Sequence, residues 1–281
     1  MKAGAAFAAL LAAGAPLFLA SFPRISFAAS RRARRLGLLG CAVSAPLVLA
    51  MIAIRAGRIS GEGLGGMANP LFLELVWTSP LGDAVAWRLA GLALVAGGLV
   101  LSARIGPRWG IGMAALGSLL VALSFAMVGH TLGEPRTLMF ALLTIHLLAI
   151  AWWLAALAPL AVAAGEPDGA ALLAAFGRRA VAVVSLLAIT GAILSLLLVG
   201  EPWALLTTDY GRTLLLKVAF VAGLLAVAAV NKLRFTPALE RDDGKARRHL
   251  RRAIVVEYVA VALIVVATAV LTSATVPPVN M

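Results

Sequence analysis

The chain has 281 residues, 62% of them hydrophobic and 13% charged, with 24 Lys and Arg against 12 Asp and Glu for a net charge of +12. A soluble domain is nearer half apolar and a quarter charged, so this composition excludes an ordinary cytosolic enzyme, and its lack of polarity excludes disorder. The single cysteine, Cys41, excludes an internal disulfide framework and any Cys-rich metal cluster.

A spanning helix needs about 20 mostly apolar residues. The sequence predicts eight: 3–22, 36–54, 84–103, 110–129, 137–161, 180–200, 213–231 and 253–273. The runs are continuous rather than alternating, which excludes membrane strands. The expected fold is all-α, a polytopic membrane bundle of eight transmembrane helices in a single transmembrane domain over 1–281. The first span has only Lys2 before it and Arg24, Arg31, Arg32, Arg34 and Arg35 after it. That is the reverse of a signal-peptide flank, and it reads as a retained helix.

Seventeen of the 24 basic residues follow the first, third, fifth and seventh spans. Cytoplasmic loops carry such an excess, so both termini are expected outside. The basic run 241–252 suits anionic headgroups of membrane lipids. No nucleic-acid partner is expected, because no aromatic platform or recognition fold accompanies the charge. Between the second and third spans, Gly57, Gly61, Gly63, Gly65 and Gly66 read as a flexible outer loop. Residues 70–79, with Phe72 and Trp77, read as lying along the interface.

Thr78-Ser79-Pro80-Leu81-Gly82 through Arg88 matches Thr207-Thr208-Asp209-Tyr210-Gly211 through Lys217, and the two segments open the third and seventh spans. Arginine pairs precede the second span (Arg34, Arg35) and the sixth (Arg178, Arg179). A four-plus-four parallel repeat explains both matches, with a site between the halves. Coincidence of residues common at membrane edges explains them equally.

Ionisable groups inside spans are costly, by roughly 2.5–3.5 kcal/mol on insertion scales. Arg88, His130, His146, Lys217 and Glu257 are such groups. His130 ends the fourth span, with Met127 on the same face. In the fifth span Met139, His146 and Trp153 recur every seven residues, on one face. Imidazole binds Cu(I) and Cu(II), and thioether prefers Cu(I). His130, His146, Met127 and Met139 are therefore the candidate metal ligands, between the fourth and fifth helices. Against this stand a water-bonded His130, a helix–helix hydrogen bond at His146, and plain packing of the methionines. Trp153 offers a cation–π face about 10 Å below His146.

Glu257 lies near the cytoplasmic side, as does Asn231 at the end of the seventh span. It reads as a carboxylate on an ion pathway, a proton acceptor, or an interfacial partner of Arg234, Arg251 or Arg252. Ile264, Thr268 and Thr272 share its face. Lys217 and Arg88 are expected to snorkel to headgroups, unless the repeat gives them a paired role. His249 reads as solvated among arginines and Cys41 as a small buried hydrophobe. No GxxxxGK motif is present, which argues against ATP-driven pumping by this chain.

The C-terminal half resembles the copper resistance D (CopD) family of bacterial inner-membrane proteins. The resemblance rests on Gly129-His130, Ile145-His146-Leu147-Leu148 with Trp152 or Trp153, Thr207 through Lys217, Asn231 through Leu239, Leu250-Arg251-Arg252 with Glu257, Leu271-Thr272-Ser273 and Pro277-Pro278. It covers about 125–278. The N-terminal half matches in span number and in the Thr78, Gly82, Arg88 pattern. The resemblance implies copper transport across the inner membrane, from periplasm toward cytoplasm, with no enzyme activity. It also implies a separate periplasmic copper-binding donor, with His130 and His146 as candidate copper ligands. Two other readings stay open: a b-haem-binding membrane electron carrier with histidine axial ligands, and a copper-delivery or assembly partner that transports nothing.

Overall fold

The computed structural model describes residues 1–129, 135–166, 169–235 and 244–271, and every regular element among them is helical. The helices are α1 (Lys2–Ser21), α2 (Phe27–Ser60), α3 (Pro70–Trp77), α4 (Pro80–Ile105) and α5 (Pro107–Ala126). They continue with α6 (Arg136–Ala163), α7 (Gly169–Val199), α8 (Ala204–Thr207), α9 (Asp209–Val230) and α10 (Gly244–Leu271). A π-helical turn, Asn231–Phe235, follows α9 directly. Seven of these helices (α1, α2, α4, α5, α6, α7 and α9) are long and apolar enough to cross a membrane, so the protein is a multi-pass membrane bundle. The eighth expected span falls within α10, whose apolar stretch, Val255–Thr268, is shorter.

Several helices outrun their predicted bounds. α2 begins at Phe27 rather than 36, because Arg31, Arg32, Arg34 and Arg35 stop the hydropathy but not the helix. Ser26 starts it by accepting a hydrogen bond from the Ala29 amide at 3.1 Å. α7 begins at Gly169 rather than 180 for the same reason, its first turns carrying Arg178 and Arg179. Residues 70–79 are not merely interfacial loop. Pro70 and an Asn69 cap start α3, whose Val76 packs against Ala5, Val48, Ile52 and Val85. The glycine-rich segment is tucked rather than loose: it holds a 3-10 turn at Gly65–Ala68, and a side chain at Gly57 would press on Met67.

Helices in lipid gain little from the hydrophobic effect, so small residues that bring backbones together carry the packing. α1 shows this most strongly and is the most enclosed span, touching α2, α4, α5, α6 and α10. A Cβ at Gly14 would overlap the Ala151 carbonyl oxygen of α6, and one at Gly40 of α2 would overlap the Ala8 and Ala12 backbone of α1. α4 and α5 form an antiparallel hairpin through one residue, Gly106, at φ +91°. Across it Gly91 faces Gly117 and Gly98 faces Gly110, each pair leaving no room for a Cβ on either side.

The C-terminal half is looser. α7 packs chiefly on α6 and α9 chiefly on α10, and these two are the least enclosed of the seven spans. The two segments matched in sequence also match in structure. At both, a short helix (α3 or α8) runs into a long one (α4 or α9). Thr78 Oγ1 returns to the Glu74 carbonyl at 2.9 Å, and its counterpart Thr207 Oγ1 to the Trp203 carbonyl at 3.1 Å. A Cβ at Gly82 would overlap the Trp77 carbonyl five residues back, and one at Gly211 the Ala204 carbonyl seven residues back. α1 and α6 each carry one internal proline near their ends, in Ala15-Pro16-Leu17 and Ala158-Pro159-Leu160.

Candidate functional site

α6 orders the polar side chains of the C-terminal half. Met139, His146 and Trp153 recur at seven-residue intervals, so they form one line along the helix, each about 10 Å from the next. Met139 and His146 on that line pack against α7; the site expected between the fourth and fifth spans also needs His130, which lies outside the described residues. Met139 lies 2% exposed among Leu142 and Leu194, with Leu143 and Ile193 beside them. The His146 ring lies against α7, where a Cβ at Gly191 would come 3.0 Å from Cε1.

His146 Nδ1 and Thr190 Oγ1 are 3.1 Å apart. The Thr190 hydroxyl also reaches the Leu186 carbonyl at 2.8 Å and the Leu187 carbonyl at 3.1 Å of its own helix. With its one proton on a carbonyl, Thr190 Oγ1 accepts from Nδ1–H and the Nε2 lone pair is left available, as in a metal-binding imidazole; with that proton on Nδ1 the tautomer reverses. Lys217 is half-buried on α9 and acts electrostatically on this ring. It does not lie fully in the headgroups as the snorkelling expectation had it. Thr190 and Gly191 were not singled out from sequence, although they are the polar break in the aliphatic run Leu186-Leu187-Ala188-Ile189-Thr190-Gly191.

One step deeper lies a second polar group. Glu257 of α10 is 5% exposed, and its Oε1 accepts from Asn231 Nδ2 at 2.5 Å. The Trp153 indole, 6% exposed, acts on the same carboxylate, and its N–H makes no hydrogen bond within 3.5 Å among the described residues. Trp153 thus belongs with Glu257 and not with His146. Among the described residues the side chain bonded to Glu257 is a carboxamide and none of the arginines named as interfacial partners. Arg234 and Arg252 are exposed, and the Arg251 side chain lies outside the described residues. On the outward continuation of this face, Thr268 bonds back to Ile264 at 2.8 Å, and Thr272 lies outside the described residues.

Arg88 corrects the snorkelling expectation outright. It is 6% exposed between α4 and α5, with Nε donating to Ser124 Oγ at 2.9 Å and the guanidinium 3.7 Å from the Phe125 ring centroid. Cys41 is buried, with Sγ 3.5 Å from the Leu92 carbonyl. Met127 ends α5 half-buried. His130 and the loop through 134 lie outside the described residues, as does the His249 side chain. Among the described residues no three His, Cys, Asp or Glu side chains converge on a metal position.

Two of the paired arginines do more than mark topology. Arg34 Nη1 donates to the Leu99 carbonyl at 2.9 Å and to Ser102 Oγ at 2.5 Å, near the end of α4. Arg179 donates to the Ser21 carbonyl at the end of α1 and lies 4.5 Å from the Phe22 ring. Both place a cation at the negative end of a neighbouring helix. Beside Arg179, Trp152 stacks on Phe176 at 4.9 Å and donates to Ser21 Oγ at 2.9 Å, joining α1, α6 and α7.

Residues 1–135 match the family described as Copper resistance protein D-like, N-terminal domain, and residues 170–271 match the family described as Copper resistance protein D. The N-terminal half, matched from sequence mainly by span number, thus has a family match of its own. No curated protein and no solved structure matches. Arg88, Met127 and His130 fall in the first match, and Lys217, Asn231 and Glu257 in the second. α6, with Met139, His146 and Trp153, lies between them.

Proposed function

We propose that this chain, which belongs to the copper resistance protein D family, carries copper across the bacterial inner membrane from the periplasm toward the cytoplasm. The observation that carries the reading is the line on α6. His146, held beside Thr190, stands on α6 about 10 Å along the same helix face from Trp153, the residue beside Glu257 of α10. His146 supplies Nε2 as a ligand, and His130 and Met127, at and after the end of α5, are assigned to complete an outward-facing site. Met139 closes that site from the α7 side. Arg88 steadies the α4–α5 hairpin beneath it, and Lys217 sets the charge around the imidazole.

The arrangement of basic residues supports eight spans with both termini outside, in one domain over 1–281. The matching junctions at Gly82 and Gly211 support a four-plus-four repeat. A periplasmic copper-binding protein serves as donor. The test is Cu(I) uptake into proteoliposomes holding only this protein. Uptake that falls at least tenfold in His146→Ala, at equal protein content, supports the reading. Absence of uptake by the unaltered protein rejects it in favour of a delivery partner, and a Soret band in the purified protein rejects it in favour of a haem carrier.

A further inference from the structure

We infer that Glu257, Asn231 and Trp153 form a proton-binding site, and that Glu257 takes up and releases one proton in each transport cycle. The second half rests on the copper-carrier reading; the first half does not.

A buried carboxylate needs partners, and the identity of those partners decides what it does. An arginine partner would lock Glu257 in its ionised form. Its partners are instead a carboxamide and an indole, both neutral. The Asn231 side chain carries an N–H donor and a carbonyl acceptor on the same carbon. Presenting the donor, it satisfies the carboxylate; turned by half a rotation, it presents the acceptor to a carboxylic O–H. The Trp153 N–H is buried without a hydrogen bond among the described residues, and it can donate to a carboxylate oxygen of the ionised form or to the carbonyl oxygen of the protonated one, more strongly to the former. Such a cluster tolerates both protonation states without moving a helix.

Charged groups do not intrude among the described side chains. α10 packs on α1, α6, α9 and the π turn. Lys2 of α1 lies at the far end of that helix. Arg136 and His146 lie on the earlier turns of α6, and Asp209, Arg212 and Lys217 on the first turns of α9. Lys232, Arg234 and Arg252 are exposed. Among the described residues the side chain hydrogen-bonded to Glu257 is the neutral Asn231, and the next residue, Tyr258, comes near Ala158 and Arg32.

The site also borders a groove. A groove of about 240 Å³ between α9 and α10 is lined by Ala226, Val227, Val230, Asn231 and Ala253, so Asn231 separates the groove from the carboxylate. α9 gives way to a π-helical turn at this same residue, a distortion common at functional positions. Copper is a poor occupant here: one carboxylate faced by two N–H donors offers no second soft or imidazole ligand. The step is a simple one. An O–H bond forms between a Glu257 oxygen and a proton from water on one side, and the same bond breaks to water after the helices rearrange.

The test uses the full chain in lipid nanodiscs and in proteoliposomes. Infrared difference spectra across a pH titration should show a protonated-carboxyl carbonyl band that is absent from Glu257→Gln. Trp153→Phe should shift the pH at which the band disappears. In proteoliposomes with an internal pH dye, Cu(I) addition should move protons in the unaltered protein. Glu257→Gln should still exchange Cu(I) across the membrane at equal concentrations, with proton movement reduced at least tenfold. Proton movement unchanged in Glu257→Gln, or a carboxyl band that survives in it, overturns the inference. Loss of copper exchange in the unaltered protein overturns the carrier reading alone, because the infrared titration still decides the proton site. Should Glu257→Gln fail to fold, the Trp153→Phe shift decides, and an unmoved band counts against the site.

Discussion

Thr190 Oγ1 lies 3.1 Å from His146 Nδ1, a contact from α7 to α6 that ties down one ring nitrogen and leaves Nε2 outside it. Thr190→Val keeps the shape and removes the acceptor. It should weaken Cu(I) binding about tenfold, the lower end of what outer-sphere partners of metal-bound histidines contribute, with membrane level unchanged. Thr190→Ser should restore it. Competition with a Cu(I) chelator in nanodiscs measures this, and equal affinity of the Val and Thr forms would remove Thr190 from the site.

Gly191→Ala probes the same ring by crowding. The added carbon would come 3.0 Å from Cε1, close enough that the imidazole must yield a few tenths of an ångström. Copper affinity should fall several-fold with little change in thermal stability. Gly223→Ala, which meets nothing within 4 Å, should leave both unchanged.

Gly14→Val should disrupt the bundle itself. Its side chain would overlap backbone of α6, which cannot move aside as a side chain can. A destabilisation of about 3 kcal/mol or more follows from overpacking at a backbone contact. It would be read as loss of folded protein in detergent thermal scans. Gly112→Ala, in open space, should be silent.

The two helix junctions make a paired prediction. If they are copies of one structural unit, Gly82→Ala and Gly211→Ala should destabilise by similar amounts, about 1–3 kcal/mol each. One large and one negligible loss would break the equivalence.

Orientation is testable through the buried cysteine. Cys41 is shielded between helices and should be silent toward a membrane-impermeant maleimide. Glu62→Cys should label from the periplasm. Arg108→Cys, in the first turn of α5, should label only after permeabilisation. Both residues are exposed, so the reverse pattern would invert the topology.

Much of the bundle was legible because lipid imposes a long apolar run on each crossing. The spans 36–54, 84–103 and 137–161 lie inside α2, α4 and α6. Helix ends were not, because arginines such as Arg31 and Arg178 end the hydropathy while remaining good helix formers. The costly residues were legible individually: Arg88, His146, Lys217 and Glu257 stand out in any hydropathy profile. Their partners were not. Asn231, which bonds Glu257, and Thr190, which bonds His146, come from other helices, and which face meets which is decided by packing. Trp153 illustrates the limit: its spacing from His146 was correct, but its function follows α10, a helix about a hundred residues later in the chain.

α1 leaves the ribosome well before two of the helices it packs against, α6 and α10. Until α6 is inserted, the surface around Gly14 has no protein to meet and must be occupied by lipid, a chaperone or the insertion machinery. The order of synthesis and the order of burial therefore run against each other in this protein. Its slowest step in biogenesis should be the exchange of that temporary cover for α6, and a nascent chain stalled before α6 should remain bound at the insertion site rather than partition into the bilayer as a finished half.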